Sequence, residues 1–291
     1  MALRIPSRLA ANCRKTSEGA AWLNRLPEVL HCLTRRWSLT IGEPFEGEDV
    51  SCAWVARAVR DDGTSAVLKI GMPHMEGEHE IDGLRFWNGD PTVRILDCDD
   101  DLGAMLIEQC VPGLTLRTLP EPEQDLVIAP LLRRLWRIPP EPHPFRRLSA
   151  LVRHWGEETL ADIEQWPDQE LVREGLCLLE ELSRSSPFDK LLATDLHAGN
   201  VLQAEREPWL VIDPKPFVGD PAFDATQHLF NCRGRLQSDP RGTITRFADL
   251  VNVSVERVRL WMFARAAAEP REDWADDGSM ALARSLASRW V

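Results

Sequence analysis

The residues Asp-Leu-His-Ala-Gly-Asn occupy positions 195–200, and Val-Ile-Asp follows at positions 211–213. They place a carboxylate, an amide and a second carboxylate, those of Asp195, Asn200 and Asp213, in one ordered set. Carboxylate and amide oxygens are ligands that Mg²⁺ prefers, with its remaining positions left to phosphate and water. Each residue also has a plainer interpretation, as a turn cap, a turn residue or a strand-end residue. Their agreement in order and spacing favours a joint chemical role.

The spacing within this set is that of the catalytic loop of kinases, in which four residues separate an Asp from an Asn. In that chemistry one carboxylate accepts the proton of the attacking hydroxyl. The Asn and a later Asp hold the Mg²⁺ ions that bridge the nucleotide phosphates. We therefore predict Asp195 as the catalytic base and Asn200 and Asp213 as metal ligands.

A lone lysine, Lys69, interrupts an apolar segment and is one of only four lysines in the chain. Its predicted role is to bind the α- and β-phosphates of the nucleotide and to pair with a helix carboxylate. Glu80 is the predicted partner, with Glu76 and Glu78 as alternatives, because several acids lie close together there. The plainer interpretation is a lysine that protects an edge strand from aggregation.

Two backbone groups are predicted to bind the nucleotide base. The carbonyl of Glu108 would accept a hydrogen bond from an adenine, and the backbone N–H of Cys110 would donate one. A loop between Gly42 and Gly47 could cover the phosphates, but it contains acids and lacks a full Gly-x-Gly-x-x-Gly pattern. An ordinary hairpin loop fits that segment equally well.

Further polar residues near the motifs favour structural roles. For His197 we favour packing under the loop, with one ring nitrogen bonded to backbone, over a role in orienting phosphate. Asp224 is interpreted as a buried acid that accepts hydrogen bonds from the catalytic-loop backbone, and Asp220 is left open. A late acidic group could hold a cationic ligand, although a solvated loop is favoured. Its members are Glu269, Glu272, Asp273, Asp276 and Asp277.

The hydrophobic periodicity predicts an α+β chain with a small antiparallel sheet followed by a helical region. Residues 1–110 are predicted as an N-terminal nucleotide-binding lobe, in which residues 1–30 form a loosely packed lead-in with one short helix. Residues 111–291 are predicted as a larger catalytic and substrate-binding lobe. Predicted strands are 37–41, 51–60, 65–70, 92–96 and 104–108, with two short strands within 191–213. Predicted helices are 74–87, 122–138, 145–166, 168–184, 240–252, 254–268 and 279–290.

Composition limits the partners that we expect. The chain has 291 residues and a formal net charge of −12, which argues against nucleic-acid binding and favours a cationic small molecule. Its seven scattered cysteines lack a Cys-x-x-Cys pair and are expected to be reduced core thiols of a cytoplasmic protein. Without an apolar run of about 18 residues, no membrane span is predicted. A monomer or weak dimer is expected.

Several segments resemble the aminoglycoside phosphotransferases, and more narrowly their streptomycin 6-kinase and hydroxyurea kinase branch. The similarity covers about residues 35–275 and is carried by segments 66–70, 77–87, 192–202, 209–216 and 219–224. It implies a bilobal protein-kinase-like fold and phosphorylation of a small molecule by ATP with Mg²⁺. It also implies that Asp195 is the base, Asn200 and Asp213 the metal ligands, Lys69 the phosphate lysine and Glu80 its partner.

One departure from the family pattern concerns the two residues before Asp195. The family usually carries His-Gly there, and this chain has Ala193 and Thr194. The His braces the loop in the family, so its loss puts loop rigidity in question. The acceptor is expected to be an aminoglycoside such as streptomycin, which would make the chain an antibiotic-resistance enzyme. The alternatives are a kinase of another small metabolite and a weakly catalytic nucleotide-binding protein.

Overall fold

The computed structural model describes residues 3–47, 50–271 and 278–287. These residues form two compact units. The first contains the described residues up to Thr115 together with Leu202–Pro214, and the second contains Leu116–Val201 and the described residues from Lys215 onwards.

A five-stranded antiparallel sheet forms the centre of the first unit. Its strand order is β1-β2-β3-β5-β4. The strands are β1 Leu39–Pro44, β2 Ala53–Arg60, β3 Ser65–Gly71, β4 Ile95–Asp99 and β5 Ala104–Glu108. All five strands predicted for this unit are present. Both β1 and β2 begin two residues later than predicted, β1 ends three residues later, and β4 is displaced by three residues into the acidic turn. The helix α3, Glu80–Trp87, follows β3, and a short 3-10 turn, Met75–Gly77, replaces the first part of the predicted helix.

The predicted loose lead-in at residues 1–30 is wrong. Two helices, α1 Ser7–Cys13 and α2 Ser17–Arg36, occupy this region. Leu9, Leu26 and Leu33 are at most 1% exposed and pack in one hydrophobic cluster with the sheet residues of β1, β2, β3 and β5. The buried residues of α2, Gly19, Leu26 and Leu33, are spaced by seven, which places them on one helix face. These helices therefore form part of the core.

The segment 202–214 packs with the first unit, although the predicted boundary at residue 110 assigns it to the second lobe. Val201–Gln203 and Trp209–Val211 form a two-stranded sheet. Val211 accepts a hydrogen bond from the N–H of Val93 (3.0 Å) and donates one to the carbonyl of Pro91 (3.0 Å). These backbone bonds hold the segment beside β4 and β5, while the division into lobes at residue 110 stays a prediction.

The second unit is mostly helical, as predicted. Its helices are α4 Glu121–Leu135, α5 Leu148–Ala161, α6 Gln169–Arg184, α7 Pro221–Asn231, α8 Arg233–Ser238, α9 Pro240–Val251, α10 Val255–Ala268 and α11 Gly278–Leu286. The helices α7 and α8 are additions to the predicted set. The short strands Lys190–Leu192 and Phe217–Gly219 pair antiparallel on either side of the catalytic-loop motif. This pairing holds both ends of the segment that carries the predicted base.

Candidate active site

Lys69, Glu80 and Asp213 come together within the first unit. The Nζ of Lys69 lies 2.6 Å from Oε1 of Glu80 and 2.6 Å from Oδ1 of Asp213. The side chains of Lys69 and Glu80 are 9% and 7% exposed, and that of Asp213 is 30% exposed. One ammonium therefore bridges two carboxylates, one buried and one that reaches solvent. The predicted pairing with Glu80, over Glu76 or Glu78, agrees with this geometry.

The local structure explains how each of these three side chains is positioned. Leu68 and Ile70 are fully buried in the core with α1 and α2, and strand alternation turns Lys69 to the opposite face of the sheet. Glu80 is the first residue of α3, where a carboxylate is favoured by the helix dipole. Asp213 follows the strand Trp209–Val211 and has a left-handed backbone with φ of 53°. A non-glycine residue in this conformation is uncommon and often marks a functional turn.

Glu108 and Cys110 lie at the end of β5 in the same unit. The carboxylate of Glu108 pairs with Arg206 through Oε1 (2.6 Å) and Oε2 (3.2 Å). Arg206 also donates to the carbonyls of Gly89 (2.8 Å) and Thr92 (2.9 Å). This guanidinium thus fixes the end of β5 to the 89–92 loop. The predicted base contacts use only backbone atoms, and they stay a prediction.

Asp195 and Asn200 come together within the second unit. Nδ2 of Asn200 donates to the backbone carbonyl of Asp195 (2.9 Å) and lies 3.5 Å from its Oδ2. Because the amide nitrogen faces that carbonyl, the amide oxygen of Asn200 points away from it. The Nδ1 of His197 accepts a hydrogen bond from the N–H of Gly199 (3.0 Å), which is the backbone contact expected in the favoured interpretation of His197. The loop is thereby stabilised by its own side chains.

Ala193 and Thr194, which replace the usual His-Gly, are both held by hydrogen bonds. The backbone N–H of Ala193 donates to Oδ2 of Asp224 (3.0 Å), and its carbonyl accepts from the N–H of Lys215 (2.7 Å). Thr194 has a φ of 49°, and its buried hydroxyl donates to the carbonyl of Lys215 (2.6 Å). The hydroxyl of Thr194 therefore stabilises the loop through a hydrogen bond for which no histidine is required.

Asp224 is the buried structural acid that the sequence predicts. Its Oδ2 also accepts from Nε1 of Trp136 (2.9 Å), and the residue is 0% exposed. Burial raises the pKa of Asp224 to about 6, while hydrogen bonds from Trp136 and Ala193 oppose that rise. Asp220, which the sequence left open, is also structural. It caps α7 by accepting from the N–H of Ala222 (3.0 Å) and accepts from Nε1 of Trp261 (2.7 Å).

The sequence analysis missed two residues next to the predicted base: Gln227 of α7 contacts Asp195, and Arg265 of α10 contacts Gln227. Nε2 of Gln227 donates to Oδ1 of Asp195 (2.7 Å), and Oε1 of Gln227 accepts from Nη2 of Arg265 (2.8 Å). The available signal was the Asp-Pro pair at 220–221, which predicts a helix start in the same way as Asp-Pro at 239–240. A helix beginning there places Asp224 and Gln227 one turn apart, on neighbouring positions of its surface.

A buried charged cluster lies elsewhere in the second unit. Asp125 accepts from Nε2 of His228 (2.8 Å), Nη2 of Arg235 (2.8 Å) and Nε of Arg246 (3.2 Å), and Cys232 lies beside His228. Burial works to raise the pKa of Asp125, but hydrogen bonds from His228 and Arg235 hold it below its ordinary value. Burial raises the pKa of the Cys232 thiol to about 12. A protonated thiol and two guanidinium groups disfavour a metal, so we interpret this cluster as structural.

All seven cysteines are free, as predicted, but they are not all core residues, because Cys32 and Cys177 are exposed. Within the described part of the chain, none of the helices combines the length and hydropathy that a bilayer-crossing segment needs.

Of the late acidic group, Glu269 is described and pairs with Arg265, with Nε to Oε2 at 2.8 Å. Its other members, Glu272, Asp273, Asp276 and Asp277, lie outside the described residues. In the predicted phosphate-covering loop, Glu48 and Asp49 also lie outside them.

A cavity of about 390 Å³ opens in the second unit between α7, α8 and α11. Phe230, Arg233 and Gln237 are among the residues that line it. Its described lining includes no carboxylate, so this cavity offers no counter-charge to a cationic molecule.

Sequence comparison finds close relatives over almost the whole chain. The chain is 36% identical to a streptomycin 6-kinase of Streptomyces glaucescens over 293 aligned residues, covering 96% of this chain and 94% of the relative. It is 33% identical to a hydroxyurea phosphotransferase of Kitasatospora aureofaciens, covering 91% of this chain and 77% of that protein.

Structural comparison confirms the predicted protein-kinase-like fold. The choline kinase LicA from Streptococcus pneumoniae superposes with a TM-score of 0.67 at 14% identity, covering 91% of this chain and 100% of that one. The family described as aminoglycoside/hydroxyurea antibiotic resistance kinase matches residues 36–278. This match and the two relatives show that the chain belongs to the aminoglycoside/hydroxyurea antibiotic resistance kinases, a family of small-molecule phosphotransferases.

Proposed function

We propose that this enzyme transfers the γ-phosphoryl group of ATP, bound with Mg²⁺, to a hydroxyl group of an aminoglycoside such as streptomycin. The observation that carries the proposal is the ammonium of Lys69, held 2.6 Å from both Glu80 and Asp213. Kinase chemistry needs such a lysine on the nucleotide phosphates and such a carboxylate on the metal. The two streptomycin 6-kinases at 36% and 35% identity support the choice of acceptor.

Each of the two proposed ligands is of a chemical kind that suits a magnesium ion. Asp213 offers a partly exposed carboxylate, and the amide oxygen of Asn200 is directed away from the loop carbonyl that holds its nitrogen. Both are hard oxygen ligands, and Mg²⁺ takes few protein ligands when phosphates supply others. When bound, the ion would neutralise charge on the phosphates during transfer. In this proposal Lys69 exchanges Asp213 for phosphate oxygens and keeps Glu80 as its buried partner.

Asp195 accepts the proton of the acceptor hydroxyl in this proposal. As the oxygen attacks phosphorus, the O–H proton passes to the carboxylate, a new O–P bond forms and the bond to the leaving ADP breaks. The demand on base strength is small, because positioning and electrostatic stabilisation dominate such transfers. The carbonyl of Glu108 and the N–H of Cys110 would hold the adenine in place.

The direct experiment is mass spectrometry of streptomycin after incubation with Mg·ATP and the enzyme. We expect a product that carries one added phosphate group. In Asp195→Asn, the rate of transfer should fall at least about a hundredfold, which is typical for loss of a positioned base. ATP should still raise the melting temperature of this variant, because Lys69, Glu80 and Asp213 are unchanged.

A matched control is Asp189→Asn, which removes a carboxylate six residues earlier that pairs with Arg147 at 2.8 Å. This variant should transfer phosphate at the wild-type rate. Undiminished transfer by Asp195→Asn would refute the role of Asp195. Phosphorylation of another hydroxylated compound but of no aminoglycoside would make the protein a metabolite kinase. Stabilisation by ATP without any ADP release would identify a nucleotide-binding protein with little catalysis.

A further inference from the structure

Gln227 lies between the proposed base and a buried arginine. Its Nε2 is 2.7 Å from Oδ1 of Asp195, and its Oε1 is 2.8 Å from Nη2 of Arg265. Both hydrogen bonds have the geometry of charge-assisted bonds, since one partner is a carboxylate and the other a guanidinium. The amide therefore connects an anion to a cation through a single side chain.

The chemistry of the two partners fixes the orientation of the Gln227 amide. A guanidinium has only donors, so the atom that faces Arg265 must be the amide oxygen. An ionised carboxylate has only acceptors, so the atom that faces Asp195 must be the NH₂ group. Rotating the amide by half a turn would replace both attractive contacts with repulsive ones. Gln227 thus presents a donor to Asp195 in one orientation only.

Arg265 is itself held rigidly. It is 4% exposed, and its guanidinium lies over the rings of Phe223 (4.8 Å) and Phe230 (5.0 Å). It also donates to the hydroxyl of Thr226 (2.6 Å) and pairs with Glu269 through both carboxylate oxygens (2.8 and 2.9 Å). A guanidinium remains protonated at any pH at which the protein folds. The group that orients the amide is therefore held by aromatic rings, a hydroxyl and a carboxylate.

We infer that Gln227 is a positioning residue, which holds the carboxylate of Asp195 in the rotamer that receives the acceptor proton, and that Arg265 fixes Gln227 for this task. This inference rests on the proposed role of Asp195. Neither residue belongs to the catalytic-loop motif, because Gln227 lies in α7 and Arg265 lies in α10.

Two variants of Gln227 test this inference by kinetics. Gln227→Leu removes the donor and keeps the size of the side chain, and kcat should fall about tenfold to a hundredfold while KM for ATP stays near its wild-type value. Gln227→Glu still accepts from Arg265 but places a carboxyl group against Asp195. Because this change replaces a donor by an acceptor, kcat should fall at least as far as in Gln227→Leu, again with KM for ATP near its wild-type value. A purely structural role would lower kcat and weaken ATP binding together.

The matched control for these variants is Gln165→Leu. Nε2 of Gln165 donates to Oδ1 of Asp162 at 2.8 Å on the exposed surface of the same unit, so the variant breaks an equivalent bond away from Asp195. It should keep the wild-type kcat. A wild-type kcat in Gln227→Leu or in Gln227→Glu would overturn the inference.

A spectroscopic measurement separates this inference from the proposed acceptor. The side-chain NH₂ signal of Gln227 can be assigned in a ¹H–¹⁵N spectrum by its loss in Gln227→Leu. In Asp195→Asn this signal should move, because the amide then faces a neutral group in place of a carboxylate. A signal at the same position in both proteins would overturn the inference even if streptomycin is phosphorylated. The expected difference would uphold the contact even if streptomycin is not the acceptor.

Discussion

Lys69 lies between two carboxylates on an otherwise apolar strand. A buried ion pair contributes little net stability, because the cost of desolvating the charges offsets their attraction. A sequence in which 30 of the 34 cationic side chains are arginine nevertheless has a lysine at this position. A compact ammonium that can exchange one carboxylate for phosphate oxygens explains this choice better than stability does. The same contrast, a single charge within an apolar run, is what made Lys69 predictable from sequence.

Asp224 should make the stability of the protein depend on pH. Burial raises its pKa to about 6 in the folded state, above the value of 3.8 for an ordinary Asp. A raised pKa means that the folded protein binds this proton more tightly than the unfolded chain does. The stabilising contribution is therefore complete below pH 3.8 and is lost as the pH rises through about 6.

The variant Asp224→Asn should remove this dependence, because an amide oxygen can still accept from Trp136 and Ala193. Each pKa unit corresponds to about 1.4 kcal/mol. Between about pH 4.5 and pH 7, the free energy of unfolding of the wild type should therefore fall by about 2 kcal/mol relative to the variant. Urea denaturation of both proteins at the two pH values measures the difference, and other titrating groups cancel. Parallel pH profiles would contradict the raised pKa.

Sequence analysis could not identify the residues whose hydrogen-bond partners lie far away in the chain. Arg206 binds Glu108, which lies 98 positions away, and Arg265 binds Gln227, which lies 38 positions away. Arginine accounts for 30 of the 34 cationic residues of the chain, so residue type does not distinguish either of these two from the other arginines. Asp195, Asn200 and Asp213 were predictable because their spacing itself carries the signal. Gln227 has no such pattern and is recognised only from its contacts.

Helix α7 shows how one missed element hides a functional residue. It begins at Pro221 after the capping carboxylate of Asp220, and α9 begins at Pro240 after Asp239 in the same way. The signal is identical, but the predicted helices include only the second of the two. The interior of α7 is almost wholly buried, so it lacks the polar face that normally reveals a helix in sequence.

Close packing between α6 and α10 predicts opposite effects of the same substitution at two helical glycines. A Cβ at Gly175 in α6 would lie 2.7 Å from Cβ of Ala267 and 3.0 Å from Cβ of Ala268. Gly175→Ala should therefore cost about 1–3 kcal/mol of stability through overpacking. At Gly156 in α5 the nearest atom, on Leu176, is 3.8 Å away, so Gly156→Ala should stabilise by up to about 1 kcal/mol.

Urea denaturation of both glycine variants beside the wild type measures this contrast. The two changes add the same methyl group to a helix interior, so helix propensity acts equally in both. If Gly175→Ala were as stable as Gly156→Ala, then α6 and α10 could move apart to accept the methyl group without loss of free energy of unfolding.

At the scale of the whole molecule, the sequence predicted the kinase-like fold because its motifs are tied to that fold. It failed where no motif exists, at the N-terminal helices. The alternation of apolar and polar residues in α2 was present, but Arg, Glu and Pro27 within the helix weakened the pattern. The family match begins at residue 36, just where α2 ends, so resemblance could not help there either. These helices are stabilised by burial against the sheet. Such burial depends on residues that are distant in the chain, so a local sequence pattern does not reveal it.

Removal of residues 1–36 should therefore prevent folding of the whole chain. Leu9, Leu26 and Leu33 are buried against the sheet, and their loss alone amounts to about 5–9 kcal/mol at typical values for buried leucines. That is comparable with the entire stability of many domains. Circular dichroism and gel filtration of the shortened chain should show loss of a cooperative transition and aggregation. In the full chain, Leu33→Ala should cost about 2–5 kcal/mol, while the exposed neighbour Cys32→Ala should cost little. A shortened chain that melts like the full one would contradict this structural role for α1 and α2.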